Sequence, residues 1–131
     1  MLIRFVLQRS NQDSGSRDGF FSAAYDLANS QDSEVAFRNF LNQKLDWFEN
    51  NLITPERFNR SKSKGYYRKK TKGIAWFKDT ATEHLSVARK MVAILAEHGW
   101  FVDELKTDRP GYIVYEDAFQ IVAEPFRDTI T

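Results

Sequence analysis

Phe37, Phe40, Leu41, Leu45, Phe48 and Leu52 fall on a helical spacing. That spacing draws an apolar stripe along one side of an α-helix, with Arg38, Asn42, Asp46 and Glu49 largely opposite. A stripe of this kind has to be buried against another layer. The N-terminus has the other period. Ile3, Phe5 and Leu7 alternate with Arg4, Val6 and Gln8, as they must in a strand whose side chains point to two faces. A 131-residue chain carrying both periods reads as a single α+β domain, residues 1–131. The 42% apolar content, with eleven Phe, supplies a core and argues against intrinsic disorder.

Along the chain, Leu2 to Gln8 is a strand and Ser10 to Ser16 a polar loop. Gly19 to Ala28 is a short helix. Ser33 caps a second helix that runs to about Leu52. Thr54 and Pro55 resemble the start of another short helix. The basic stretch 57–73 is a loop between the two long helices. Ile74 to His98 reads as the second long helix, with Phe77, Ala81, His84 or Leu85, Ala88, Val92 and Leu95 on one side and Gly99 as its stop. Phe101–Thr107, Tyr112–Glu116 and Phe119–Glu124 then form a three-stranded antiparallel β-meander, with Asp108–Gly111 as the first turn. The expected architecture is a two-layer sandwich, with two long helices covering one face of a sheet that the N-terminal strand joins.

Several chemistries are absent from the sequence. There is no cysteine, which removes disulfides, thiolate metal sites and cysteine nucleophiles and fits a cytoplasmic location. No Gly-rich phosphate loop or nucleophile elbow occurs. No apolar run is long enough for a membrane span. His84 and His98 lie too far apart for a helical metal pair. Helix packing is the expected role of His84, and His98 suits a helix C-terminus, where the last carbonyls need donors. No metal and no cofactor is expected.

Charge is the most informative compositional fact. Net charge is +1, yet Arg57 to Lys78 holds nine Lys or Arg and no Asp or Glu. The other 109 residues carry ten basic and eighteen acidic side chains. Arg57, Arg60, Lys62, Lys64, Arg68, Lys69, Lys70 and Lys72 are placed to neutralise phosphates, and Tyr66 and Tyr67 to stack on unpaired bases. An acidic body repels nucleic acid over most of its surface, so any contact has to be local to this stretch. An acidic protein is the other partner that fits it.

Two further groups merit a reading. Arg4, Tyr115 and Glu116 would share a sheet face if the first strand lies within the sheet. There they could orient an anion and supply a general base; an ordinary hydrated face is the alternative. Trp47, Trp76 and Trp100 lie in or beside apolar stripes and are expected in the core. Exposure of Tyr66, Tyr67, Trp76 and Phe77 together would instead mark an interface.

The segments Gln8-Arg9-Ser10-Asn11-Gln12-Asp13-Ser14-Gly15, Gly19-Phe20-Phe21, Ile74-Ala75-Trp76-Phe77-Lys78 and Thr107 to Asp117 resemble a group of small, uncharacterised bacterial proteins of similar length. The resemblance spans most of the chain except the basic loop. It implies a bacterial or mobile-element origin and, because the group has no established activity, no catalytic residue, cofactor or partner. The first reading is therefore a small non-enzymatic binding protein that meets an anionic partner, nucleic acid foremost, through the basic loop. The second is a protein-interaction or inhibitor module, phage- or plasmid-borne, acting on a host complex. The third is a small enzyme using the hairpin face.

Overall fold

The computed structural model describes residues 1–10, 16–54 and 73–131. Along them run β1 (Leu2–Ser10), β2 (Arg17–Gly19), α1 (Phe20–Ala28), α2 (Val35–Asn51), β3 (Ile74–Lys78), α3 (Thr82–Glu97), β4 (Val102–Thr107), β5 (Tyr112–Glu116) and β6 (Gln120–Glu124). The class is α+β, and the strands form one curled antiparallel sheet.

Strand β1 organises that sheet. One of its edges pairs with β4 along the run from Leu2↔Thr107 to Leu7↔Val102. The other edge is divided. Leu2 and Ile3 pair with Lys78 and Phe77 of β3, whereas Val6 and Ser10 pair with Gly19 and Arg17 of β2. Between these two pairings, at Arg4 and Phe5, the sheet forks. Beyond β3 come β6 and then β5.

The two-residue period of β1 aims Ile3, Phe5 and Leu7 at the helices. They are buried with Phe77, with Phe20, Ala23 and Ala24 of α1, with Phe37, Leu41, Leu45 and Phe48 of α2, and with Leu85, Ala88, Met91 and Leu95 of α3. Phe5 meets Phe20 edge-on at 5.6 Å, and Phe21 meets Phe48 at 5.0 Å. Each large side chain removed from water here contributes roughly 1.5–3 kcal/mol before ordering costs.

The opposite sheet face is buried too. Val6, Ile74, Trp76 and Ile121 are all enclosed, yet none belongs to the helix-side cluster. Curling accounts for this. β4 and β5 sit at opposite ends of the strand order, about 19 Å apart if the sheet were flat. Thr107 and Tyr112 are five residues apart, a reach of at most about 18 Å, and they lie at opposite ends of their strands. The sheet must therefore bend toward closure, and its inner face becomes a second, smaller core.

Three expectations are corrected. The helix expected from Ile74 begins only at Thr82. Ile74–Lys78 is instead a strand paired on both sides, and Asp79 and Thr80 form the turn, with the Ala81 amide donating to Lys78 O at 3.0 Å. The helical spacing belongs to Ala81 onward; Ile74, Trp76 and Phe77 are β-branched or aromatic and fit a pleated sheet better. The three-stranded meander is also replaced. β5 and β6 form a hairpin, but β4 crosses to β1. An apolar strand such as β1 is best paired on both edges, whereas β4, with Asp103, Glu104 and Lys106, tolerates an edge. Finally, α2 starts at Val35 behind Glu34 with no side-chain cap, so Ser33 is not the capping residue; its amide donates to Ser30 O within the preceding turn.

Gly99 ends α3 at φ +84°, as the sequence suggested. Gly111 has φ +126°, and a Cβ there would overlap the Glu124 carbonyl of β6. Gly111→Ala is expected to cost about 3 kcal/mol or more. Gly99→Ala, which meets open space, is expected to cost only about 1 kcal/mol. Urea unfolding of the two variants checks the contrast.

Candidate functional site

The basic residues Arg57, Arg60, Lys62, Lys64, Arg68, Lys69, Lys70 and Lys72, with Tyr66 and Tyr67, lie outside the described residues, as does the helix start expected at Pro55. The residues flanking this segment do have defined places. Thr54 and Gly73 both line a cavity of about 540 Å³ at the fork in the sheet. Lys78, the last cation of the basic run, belongs to β3 and pairs with Glu116 at 2.6 Å.

The fork is built from short pieces. β2 meets β1 at Val6 and β3 meets it at Ile3, leaving Arg4 and Phe5 at the floor of the gap. Arg4 donates to Thr131 O at 2.7 Å and to the Arg17 carbonyl. Arg17 donates through Nε to Leu7 O at 2.7 Å and pairs through its guanidinium with Asp103 of β4. These two arginines tie β1, β2, β4 and the last residue together across the inner face. Arg17 was not singled out by sequence, because a three-residue strand is too short to show a period.

Arg4, Tyr115 and Glu116 each have a different partner. Tyr115 donates its hydroxyl to Asp117 at 2.8 Å, Glu116 holds Lys78, and Arg4 holds the backbone oxygens. The fork cavity that Arg4 lines has neither Tyr115 nor Glu116 in its described wall. The strand order explains this, since β3 and β6 stand between β1 and β5.

Asp117 is the centre of the β5–β6 turn. Its carboxylate accepts from the amides of Phe119 at 2.8 Å and Gln120 at 3.0 Å, and from the Tyr115 hydroxyl and the Gln120 side chain. Burial pulls its pKa upward, but the Phe119 amide and the other donors outweigh that and leave it below the ordinary value. The hydrogen bond to Asp117, with some burial, raises Tyr115 above the ordinary phenol value.

His84 is buried at the start of α3. Its Nε2 lies 2.8 Å from the Asn51 carbonyl, so Nε2 carries the hydrogen and donates. Its Nδ1 has no partner among the described residues. The ring packs between Trp47 at 4.9 Å and Phe119 at 4.3 Å. It also lines a second cavity, of about 520 Å³, between the end of α2 and the start of α3. His98 takes the end-capping role expected of it, with Nδ1 3.0 Å from Ile94 O and its ring stacked 3.6 Å from Phe37. Trp76 and Phe77 are 1% and 7% exposed, so the interface reading of that pair gives way to core packing. Trp47 and Trp100 pack against the helix-side cluster.

Among the described residues no three potential ligands gather into a metal site, and no helix is long and apolar enough to cross a membrane. Comparison with protein-family models, with curated proteins and with solved structures finds no match.

Asp117 supplies a pH test. A carboxyl lowered in the folded state stabilises fully above its unfolded value, 3.8, and loses that contribution as pH falls through the lower folded value. Asp117→Asn is expected to cost about 1–2 kcal/mol at pH 6. The gap from the parent should narrow below pH 3.8. Urea unfolding at pH 6 and pH 3 measures both.

Proposed function

We propose that the chain is a small, cytoplasmic, non-enzymatic binding protein whose basic segment, residues 57–72, contacts an anionic partner, with nucleic acid the best fit. The observation that carries the reading is charge segregation. That segment has eight Lys or Arg and no acidic residue, while the described residues contain eleven basic and sixteen acidic side chains.

The pairing of body cations supports it. Arg17 is matched by Asp103, Lys78 by Glu116, Arg89 by Glu104 at 3.3 Å and Arg109 by Asp128 at 3.5 Å. Such pairs add little stability; the body is acidic because its sixteen acidic side chains outnumber its eleven basic ones. A polyanion is then attracted by the 57–72 segment and repelled elsewhere. Thr54 and Gly73 support it further, since both flanks of the segment sit at one cavity. Tyr66 and Tyr67 add aromatic faces of the kind that hold unpaired bases.

Salt dependence provides the test. Affinity for a single-stranded oligonucleotide is expected to fall with salt, with a logarithmic slope of about −0.7 per phosphate neutralised. Replacing Arg68, Lys69, Lys70 and Lys72 by Ala should flatten that slope and weaken binding by about tenfold or more. Affinity indifferent to salt, or unchanged in the variant, eliminates the reading. An acidic protein is the competing partner for the same cations. It is favoured if a lysate protein stays bound through the segment after nuclease treatment and oligonucleotides do not bind.

A further inference from the structure

The two outer strands of the sheet differ in what their edges carry. On β4, Asp103 pairs with Arg17, and Glu104 with Arg89 and Lys106. Charges of this kind keep an edge from adding a foreign strand. β5 reads Tyr112-Ile113-Val114-Tyr115-Glu116, and among the described residues it pairs with β6 alone. Tyr112 and Ile113 are 59% and 53% exposed. In place of charges, β5 has an irregularity between Ile113 and Tyr115 in its pairing with β6.

That irregularity decides what the edge can accept. The Lys78 amide donates to Phe119 O, so Phe119, Ile121 and Ala123 turn their backbone groups to β3. By alternation Gln120, Val122 and Glu124 turn theirs to β5. The Asp117 amide accordingly donates to Gln120 O. Tyr115, opposite Val122, and Tyr112, opposite Glu124, therefore bond inward. Ile113 and Glu116 turn their backbone groups outward. Val114 is the extra residue of a β-bulge, so these outward positions stand three residues apart. Outward groups of a regular strand recur every two residues.

A regular strand laid on this edge matches Ile113 or Glu116 but not both. A second β5, turned antiparallel, matches both, because Ile113 of each copy faces Glu116 of the other. Charge favours the same direction. Arg109 lies before the strand and Glu116 at its end, so an antiparallel copy brings unlike charges together at both ends and a parallel copy brings like charges together. Their partners within the chain, Asp128 and Lys78, leave the Arg109 side chain 71% and that of Glu116 48% exposed.

We propose that two copies of the chain pair through antiparallel β5 edges about a twofold axis, joining their sheets. A twofold contact is isologous and uses up the edge, so assembly stops at two. A five-residue strand buries less than the roughly 1,000 Å² of a stable interface, so the dimer is a weak one.

Sedimentation of the full chain over a concentration series tests the pairing. A monomer–dimer equilibrium is expected, half dimer at about 0.1 mM. Ile113→Lys puts a charge on the edge at an exposed position and should weaken dimerisation about tenfold or more, with its urea unfolding curve confirming that it folds. Amide hydrogen exchange of the parent locates the contact without any variant. Between about 0.01 and 1 mM the Ile113 and Glu116 amides should slow together, and those of β4 should not change. The proposal is overturned by a chain that stays monomeric at about 1 mM, which leaves the edge to another protein's strand. It is equally overturned by assembly beyond two copies, by a dimer that Ile113→Lys leaves intact, or by protection at β4 in place of Ile113 and Glu116.

Discussion

The pairing of β1 on both edges is the constraint from which the rest of the structure follows. β4 takes one edge and β2 and β3 share the other. Because β1 is central, its two-residue period has to satisfy two interiors. Ile3, Phe5 and Leu7 go to the helices and Val6 to the inner face. Curling of the sheet encloses that inner face, and the Arg4 and Arg17 guanidiniums bond across it to backbone oxygens and Asp103. The divided edge opens the gap at Arg4 and Phe5. One topological fact therefore generates the second core, the arginine cross-ties and the cavity.

What the sequence made legible was local. The period of Leu2 to Gln8, the stripe of α2 and the stop at Gly99 depend on neighbours a few residues away, and each is found in the structure. Ile74 to Phe77 misled because its residues can be continued into the helical stripe that starts at Ala81. Its real partners, Leu2, Ile3 and residues 120–123, are remote in the chain. The destination of β4 was hidden for the same reason. A turn-forming Asp-Arg-Pro-Gly run between two strands suggests a hairpin, and only the need of β1 for a second neighbour sends β4 elsewhere.

The functional groups divide along the same line. His98 could be read from its place at a helix end. Arg4, Tyr115 and Glu116 were grouped on the assumption that β1 lies near β5, and the strand order separates them. Arg17 gave no signal, and neither did the outward spacing of Ile113 and Glu116, because a bulge between two strands exists only once they have paired. The charge asymmetry, by contrast, is a property of composition and needs no fold to be seen. It sets the two parts apart in charge: the described residues hold eleven basic and sixteen acidic side chains, whereas residues 57–72 hold eight basic and no acidic ones.

Under the proposed function, an anionic strand meets residues 57–72 and the fork while the acidic body stays apart. Amide hydrogen exchange with and without a single-stranded oligonucleotide tests this most directly. The predicted result is slower exchange confined to peptides covering residues 54–76 and the fork walls at residues 4–5 and 17–20, with β4, β5 and α3 unchanged. Slower exchange centred on β5 or on the helices, or no change in 54–76 while the oligonucleotide is bound, would contradict it.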